Sequence, residues 1–218
     1  MHDPSWLAPT TFVDSDHPHV IAFAREVCGE AETTKERATR LFRAVRERFR
    51  YDPYSFSPDP SALKASSILA HDRAWCVPKA VVLCAAARAV GIPARLGFAD
   101  VRNHLASEKL LRVLGTDLFV FHGYVELVID GANVLATPAF NAALCERFGV
   151  PVLELDGVHD AMLQAFDAEG RRHMEYVRDR GRFTDLPYDA IMAAFREHYT
   201  RGIPRKGEEG AHDEVFQG

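Results

Sequence analysis

No apolar run in this chain approaches the ~20 residues needed to cross a bilayer. The opening MHDPSWLAPTTF also lacks the basic and apolar stretches of a secretory signal. Basic character is missing as well. The 26 Lys and Arg are outnumbered by 31 Asp and Glu, giving a net charge of −5. The cations are scattered, so there is no footprint for nucleic acid. There are only four cysteines (Cys28, Cys76, Cys84 and Cys145) in 218 residues, whereas disulfide frameworks belong to smaller secreted chains. No C-x-x-C or H-x-x-x-H pair supports a metal site, and no Asp-rich loop of the EF-hand type supports calcium. No G-x-G-x-x-G after a strand and no phosphate-loop lysine supports a nucleotide. These absences predict a cytoplasmic chain with reduced thiols, no cofactor, no metal, and no nucleic-acid or membrane partner.

What is present reads as helices followed by antiparallel strands, the α+β order rather than alternating βαβ. DSDHPHVIAFAREVCGE reads as a helix with Asp16 near its N-cap, Pro18 in its first turn and Gly29 at its end. Thr33 and Glu36 form a possible capping box. The helix they open carries Ala38, Leu41, Phe42, Val45 and Phe49 on one face. DPYSFSPDPSA is a loop and Ala65 to Ala70 a short helix. Cys76 to Val90 is a long apolar helix stopped by Gly91 and Pro93. ARLGFADVR reads as a strand. LFVFHGYVELVID and ANVLATP form a hairpin about Asp130–Gly131. NAALCERFG is helical, LQAFDAEGRRHMEYVRD resembles a second hairpin turning at residues 168–170, and LPYDAIMAAFREHY is a closing helix. One domain over residues 1–200 with a loose charged tail over 201–218 follows.

The chemistry centres on Cys76 in RAWCVPKAVVL. A thiol in the first turn of a helix faces unpaired N–H groups and the positive end of the helix dipole, which favour thiolate. The same N–H groups can receive an oxyanion. Cys84, two turns further on, has neither advantage and reads as a core residue. A nucleophilic cysteine needs a base. Of ten histidines, His122 in FHGYVEL is the best placed, with His104, His159, His173 and His198 as alternatives. Strand alternation puts His122, Tyr124 and Glu126 on one face, which could border a cleft.

Taken together, a cysteine opening a helix that ends in ARAVGIPARLGFADV, a strand HGYVEL and a returning NVLATPAFN resemble the transglutaminase-like superfamily of cysteine enzymes. The resemblance covers roughly residues 66–141. FVDSDHPHV and HMEYVRDRG also resemble stand-alone bacterial members. It implies a papain-like, transglutaminase-like α+β core, with N-terminal helices and a central cysteine-bearing helix packed on an antiparallel sheet. It also implies Cys76 as nucleophile and His122 as base. Where the family usually has an Asp before a Pro, this chain has Thr137. A threonine can orient the imidazole but brings no charge. Asn141 is the alternative third member, while Asp130 and Asp156 would need an unexpected loop path. Trp75, Tyr124, Glu126 and Arg102 are candidate substrate contacts. The implied activity is acyl transfer on a peptide, protein or small amide, with hydrolysis favoured over transamidation. The competing expectation is a binding or scaffolding protein that keeps the fold after losing the triad Asp.

Overall fold

The local signals that open and close helices predict most of the element boundaries. In the computed structural model, residues 3–163 and 165–203 are described. The tail expected from residue 201 lies outside them from residue 204 onward. Helix α1 (Pro18–Cys28) is capped one residue past Asp16. His17 is its cap, with Nδ1 accepting the His19 N–H at 3.2 Å. Helix α2 (Thr34–Arg48) has the complete capping box. Thr33 Oγ1 accepts the Glu36 N–H, and the Glu36 carboxylate accepts the Thr33 N–H. Its apolar stripe, Ala38 to Phe49, is fully covered. Each large side chain buried there contributes ~1.5–3 kcal/mol.

Strand β1 (Arg50–Tyr51) pairs in parallel with β2 (Arg73–Ala74). The proline-rich loop, a 3₁₀ turn (Pro60–Leu63) and helix α3 (Ala65–Ile68) lie between them. This clip delivers the chain to helix α4 (Cys76–Ala89), which ends at Val90 ahead of Gly91 (φ 79°). From Cys76 to Arg88 every residue of α4 is buried. Its Ala and Val residues let neighbouring backbones come close.

The sheet order is β5-β4-β3-β6, all antiparallel, with β3 (Ala94–Asn103), β4 (Leu118–Ile129), β5 (Ala132–Ala136) and β6 (Met174–Phe183). Asp130 (φ 49°) and Gly131 (φ 87°) make the two-residue turn between β4 and β5. Helix α4 packs on β4 and β3. The approach is tightest at Gly123, where an added Cβ would sit 3.0 Å from Val77 Cα. Helices α5 (Glu108–Leu114), α6 (Ala142–Phe148) and α7 (Tyr188–His198) complete the chain, with α7 against β4.

The second hairpin needs correcting. Among the described residues, the two arms flanking residues 168–170 are joined by an isolated bridge, Phe166 to Arg172, and by hydrogen bonds from the Asp167 N–H to the Arg171 carbonyl and from the His173 N–H to the Ala165 carbonyl, so the hairpin is short. The rest of the second arm is β6, which pairs with β3 instead. Among the described residues, no helix is long and apolar enough to cross a membrane.

Candidate active site

Cys76 is the first residue of α4. Its cap residue, Trp75, offers no side-chain acceptor, so capping does not consume the first-turn N–H groups. Cys76 as a residue is 7% exposed. Burial pushes its thiol up to about 11, opposed by the backbone N–H groups of Gly123, Val77 and Cys76 itself and by the charge of Lys79. The lowered thiol pKa expected from the helix start is therefore outweighed by desolvation.

His122 sits just past an irregularity in β4. Between Ala99 and Val101 strand β3 advances two residues, while β4 advances three, from Phe119 to His122. The extra residue is a bulge, and Phe121 within it has φ 55°, a costly conformation for a bulky side chain. Asp100 and Arg180 hold it. The Asp100 carboxylate accepts the Phe121 N–H at 3.1 Å and receives Arg180 Nε at 2.9 Å on both oxygens. The Arg180 guanidinium lies 4.9 Å from the Phe121 ring.

His122 Nε2 is 3.2 Å from Thr137 Oγ1, at the end of β5. Thr137 donates its hydroxyl proton to the Gly123 carbonyl at 3.3 Å, so toward the ring it acts as acceptor. That assigns the ring proton to Nε2 and leaves the lone pair on Nδ1. Burial lowers His122 to about 4. At neutral pH the resting pair is thiol and neutral imidazole.

Cys76 and His122 line one cavity, which is partly open to solvent. Of the expected substrate contacts, Trp75 also lines it, packed on Phe56 and Phe195 with ring centroids 6.1 and 5.8 Å away. The structure takes the other three elsewhere. Tyr124 lies over Gly97, where an added Cβ would be 2.1 Å from its ring, and under the Arg182 guanidinium. Glu126 is paired with Arg95 at 2.5 Å and accepts from Asn133 at 3.1 Å. Arg102 is 2.8 Å from Asp117 and 3.9 Å from Glu175. Each is claimed by a partner on another strand or loop, so the face shared with His122 does not border the cleft along its length.

Asn141 is the cap residue of α6, and its Oδ1 accepts the Tyr51 N–H at 3.1 Å; the residue bonded to His122 is Thr137. Asp130 is exposed at the hairpin turn, and Asp156 is 2.7 Å from His159 Nδ1 on the surface. His104 faces Glu175 at 3.3 Å, His173 is buried beside Phe140, and His198 ends α7. Among the described residues, no three His, Cys, Asp or Glu side chains gather as a metal-ligand set.

Sequence reasoning missed Lys79, one turn beyond Cys76 and fully buried. Its Nζ donates to three backbone carbonyls: Arg46 at 2.8 Å, Phe49 at 3.1 Å and Ala139 at 2.7 Å. It thereby ties α4 to the end of α2 and to the segment following Thr137. Burial pulls the ammonium down to about 7, but three acceptors match the three N–H groups of the charged form. A lysine one turn into a helix whose other charged residue is Arg88, near its far end, was the available signal. The cavity walls supplied by α7, Phe195 and Tyr199, were likewise missed. Their signal was the apolar stripe of the closing helix.

The family model described as transglutaminase-like superfamily matches residues 21–134, more than half of the chain. The chain belongs to the transglutaminase-like superfamily. The matched span runs from α1 into β5 and so contains Cys76 and His122, with Thr137 just beyond it. No curated protein sequence matches. Among solved structures, this superfamily member is similar to a "putative cysteine protease" from Cytophaga hutchinsonii. The TM-score is 0.55 at 16% identity, over 87% of this chain and 50% of that one. The likeness shows a shared papain-like, transglutaminase-like α+β fold. The chain spans half the length of that protein. A "putative protease" from Parabacteroides distasonis ATCC 8503 gives a TM-score of 0.39 at 15% identity, over 53% of this chain and 22% of that one, too little to carry an argument.

Proposed function

We propose that this protein is a cysteine-dependent acyl-transfer enzyme, a cysteine-protease-like hydrolase of a peptide or small amide. One observation carries the reading: a thiol at a helix start, surrounded by backbone N–H groups, opens into the same cavity as an imidazole oriented by a hydroxyl. Cys76 Sγ attacks the amide carbon as its proton passes to His122 Nδ1. Backbone N–H groups at the start of α4 stabilise the oxyanion. The C–N bond then breaks, His122 returns the proton to the leaving amine, and a thioester remains on Cys76. Water, activated by His122, releases the acid and restores the thiol. Thr137 is the orienting member of the triad. The name of the Cytophaga protein agrees with this class of chemistry.

The alternative is a lapsed site that binds without turnover. The neutral third member and a thiol pushed up to about 11 favour it. Iodoacetamide labelling of each cysteine from pH 4 to 9, read by peptide mass spectrometry, separates the two. A coupled pair shares one proton between its two ionisations, about 4 and about 11. An active site therefore labels at Cys76 with a rate that rises as His122 loses its proton and then stays level to pH 9. The level region disappears in His122→Ala. Labelling that follows ordinary thiol ionisation near pH ~8.5 or above, equally in both proteins, would mean a lapsed site.

A further inference from the structure

The described residues lining the cavity beside Cys76 bring no carboxylate, ammonium or guanidinium to it: none of the seventeen is Asp, Glu, Lys or Arg. Its walls are mainly aromatic: Tyr51, Phe56, Trp75, Phe140, Phe195 and Tyr199. Several of its polar atoms are already engaged. Asn103 Oδ1 accepts the Leu105 N–H at 3.0 Å, the Tyr199 hydroxyl accepts the Val120 N–H at 3.0 Å, and His122 Nε2 is bonded to Thr137. A charged group entering here would lose its water and find no counter-ion, which is strongly unfavourable. An apolar group of matching size would gain on the order of the transfer energy of a buried aromatic side chain.

Part of this wall lies outside the span matched by the superfamily. Residues 21–134 supply the thiol and the imidazole. Phe140, Met174, Phe195, Tyr199 and Ile203 come from later in the chain. Helix α7 sets Phe195 within 6.0 Å of Phe56, 5.8 Å of Trp75 and 4.9 Å of Tyr199, ring centre to ring centre. The thiol and the imidazole thus come from the matched span, and α7 shapes the space beside them.

We propose that the group received beside Cys76 is uncharged and apolar, an aromatic or branched aliphatic side chain, and that Phe195 and Tyr199 of α7 determine this preference. The proposal rests on the acyl-transfer reading of the same site. The substrate class is then a peptide or amide whose acyl part carries such a side chain, in place of an acidic or basic one.

The test uses three reagents with the same electrophile: iodoacetamide, N-benzyl-iodoacetamide and N-(4-carboxybenzyl)-iodoacetamide. Second-order rates at Cys76 in the intact protein are divided by the rate of each reagent with glutathione. The expected result is a preference of roughly tenfold or more for benzyl over carboxybenzyl. Phe195→Leu should lower the benzyl rate by a larger factor than the iodoacetamide rate. Ile203→Arg, at a partly exposed position less critical for folding, should cut the preference several-fold by attracting the carboxylate.

A benzyl-to-carboxybenzyl ratio near one in the wild-type protein overturns the proposal, as does a ratio that neither variant changes. The iodoacetamide rate keeps the two readings apart. Fast labelling with a ratio near one leaves the enzyme reading standing and removes this one. Labelling typical of an ordinary thiol, with the preference intact, removes turnover and leaves the apolar pocket.

Discussion

Two cysteines lie eight residues apart on α4, and their surroundings are alike in most respects. Both are buried, and both thiols are pushed up by desolvation, Cys76 to about 11 and Cys84 to about 12. Each also has a buried cation one turn further along the helix. Beside Cys76, Lys79 donates to three backbone carbonyls. Beside Cys84, Arg88 donates to those of Ala94, Ala8 and Thr184 at 3.0, 2.7 and 2.7 Å. The differences are that Cys76 is a first-turn residue with N–H groups aimed at its sulfur, and that it faces a cavity it shares with His122. A neighbouring cation therefore does not make a reactive thiol; the helix end and an opening to solvent distinguish the two.

The sharpest way to probe this is to remove each cation. Lys79→Met takes the lysine donor from three buried carbonyls, a loss on the order of 3 kcal/mol or more in chemical denaturation; Arg88→Met does so at buried Ala94 and at the part-buried bonds to Ala8 and Thr184, and should cost less. Only Lys79→Met should also change the pH profile of Cys76 labelling. Equal profiles in the two variants would mean that Lys79 is a fold tether and nothing more.

Acid comes next in size. His122 is lowered to about 4 by burial, against about 6.5 in the unfolded chain, and His173 shifts to about 4 for the same first reason. Between these values the unfolded state binds the extra protons. The stability present above pH 6.5 is thus lost as pH falls to 4, on the order of 3 kcal/mol for His122. His122→Gln should flatten that part of the curve. A wild-type stability that does not change between pH 6.5 and 4 would show both rings exposed to water.

The helix α2 capping box and the Asp130–Gly131 turn were legible because the residues that decide them are close in sequence. Helix α5 carries equally local marks: Ser107 accepts the Leu110 N–H and Gly115 has φ 75°, yet its seven residues are too short for a clear periodicity. Other features could not be read locally. A turn at residues 168–170 says that the chain reverses, and the partner of β6 is β3, some 80 positions earlier. The bulge before His122 depends on Arg180 reaching Asp100 across the same distance. Arg102, Tyr124 and Glu126 looked available because the groups that occupy them lie on other segments. For the site, local physics pointed to Cys76 at a helix start and put His122 first among ten histidines; the family pattern paired the two and added Thr137.

The smallest expected effect concerns the third member. Thr137→Asp sets a carboxylate beside Nε2 and raises the His122 pKa by roughly 1–3 units. The lower edge of the level region in Cys76 labelling then moves up by the same amount, and the level itself rises several-fold. Thr137→Val, lacking the acceptor, should lower it a few-fold. If both variants match the wild type, the hydroxyl does not orient the ring.

Gly123 bears on how the molecule tolerates change. At that residue the strand meets the Val77 Cα, the Cys76 carbonyl and the Ala80 methyl of the helix, none of which can change rotamer. The gap between the element carrying Cys76 and the one carrying His122 is therefore gauged by backbone and a single methyl group. Repacking elsewhere in the apolar interior can alter how firmly the fold is held while leaving that spacing where it is.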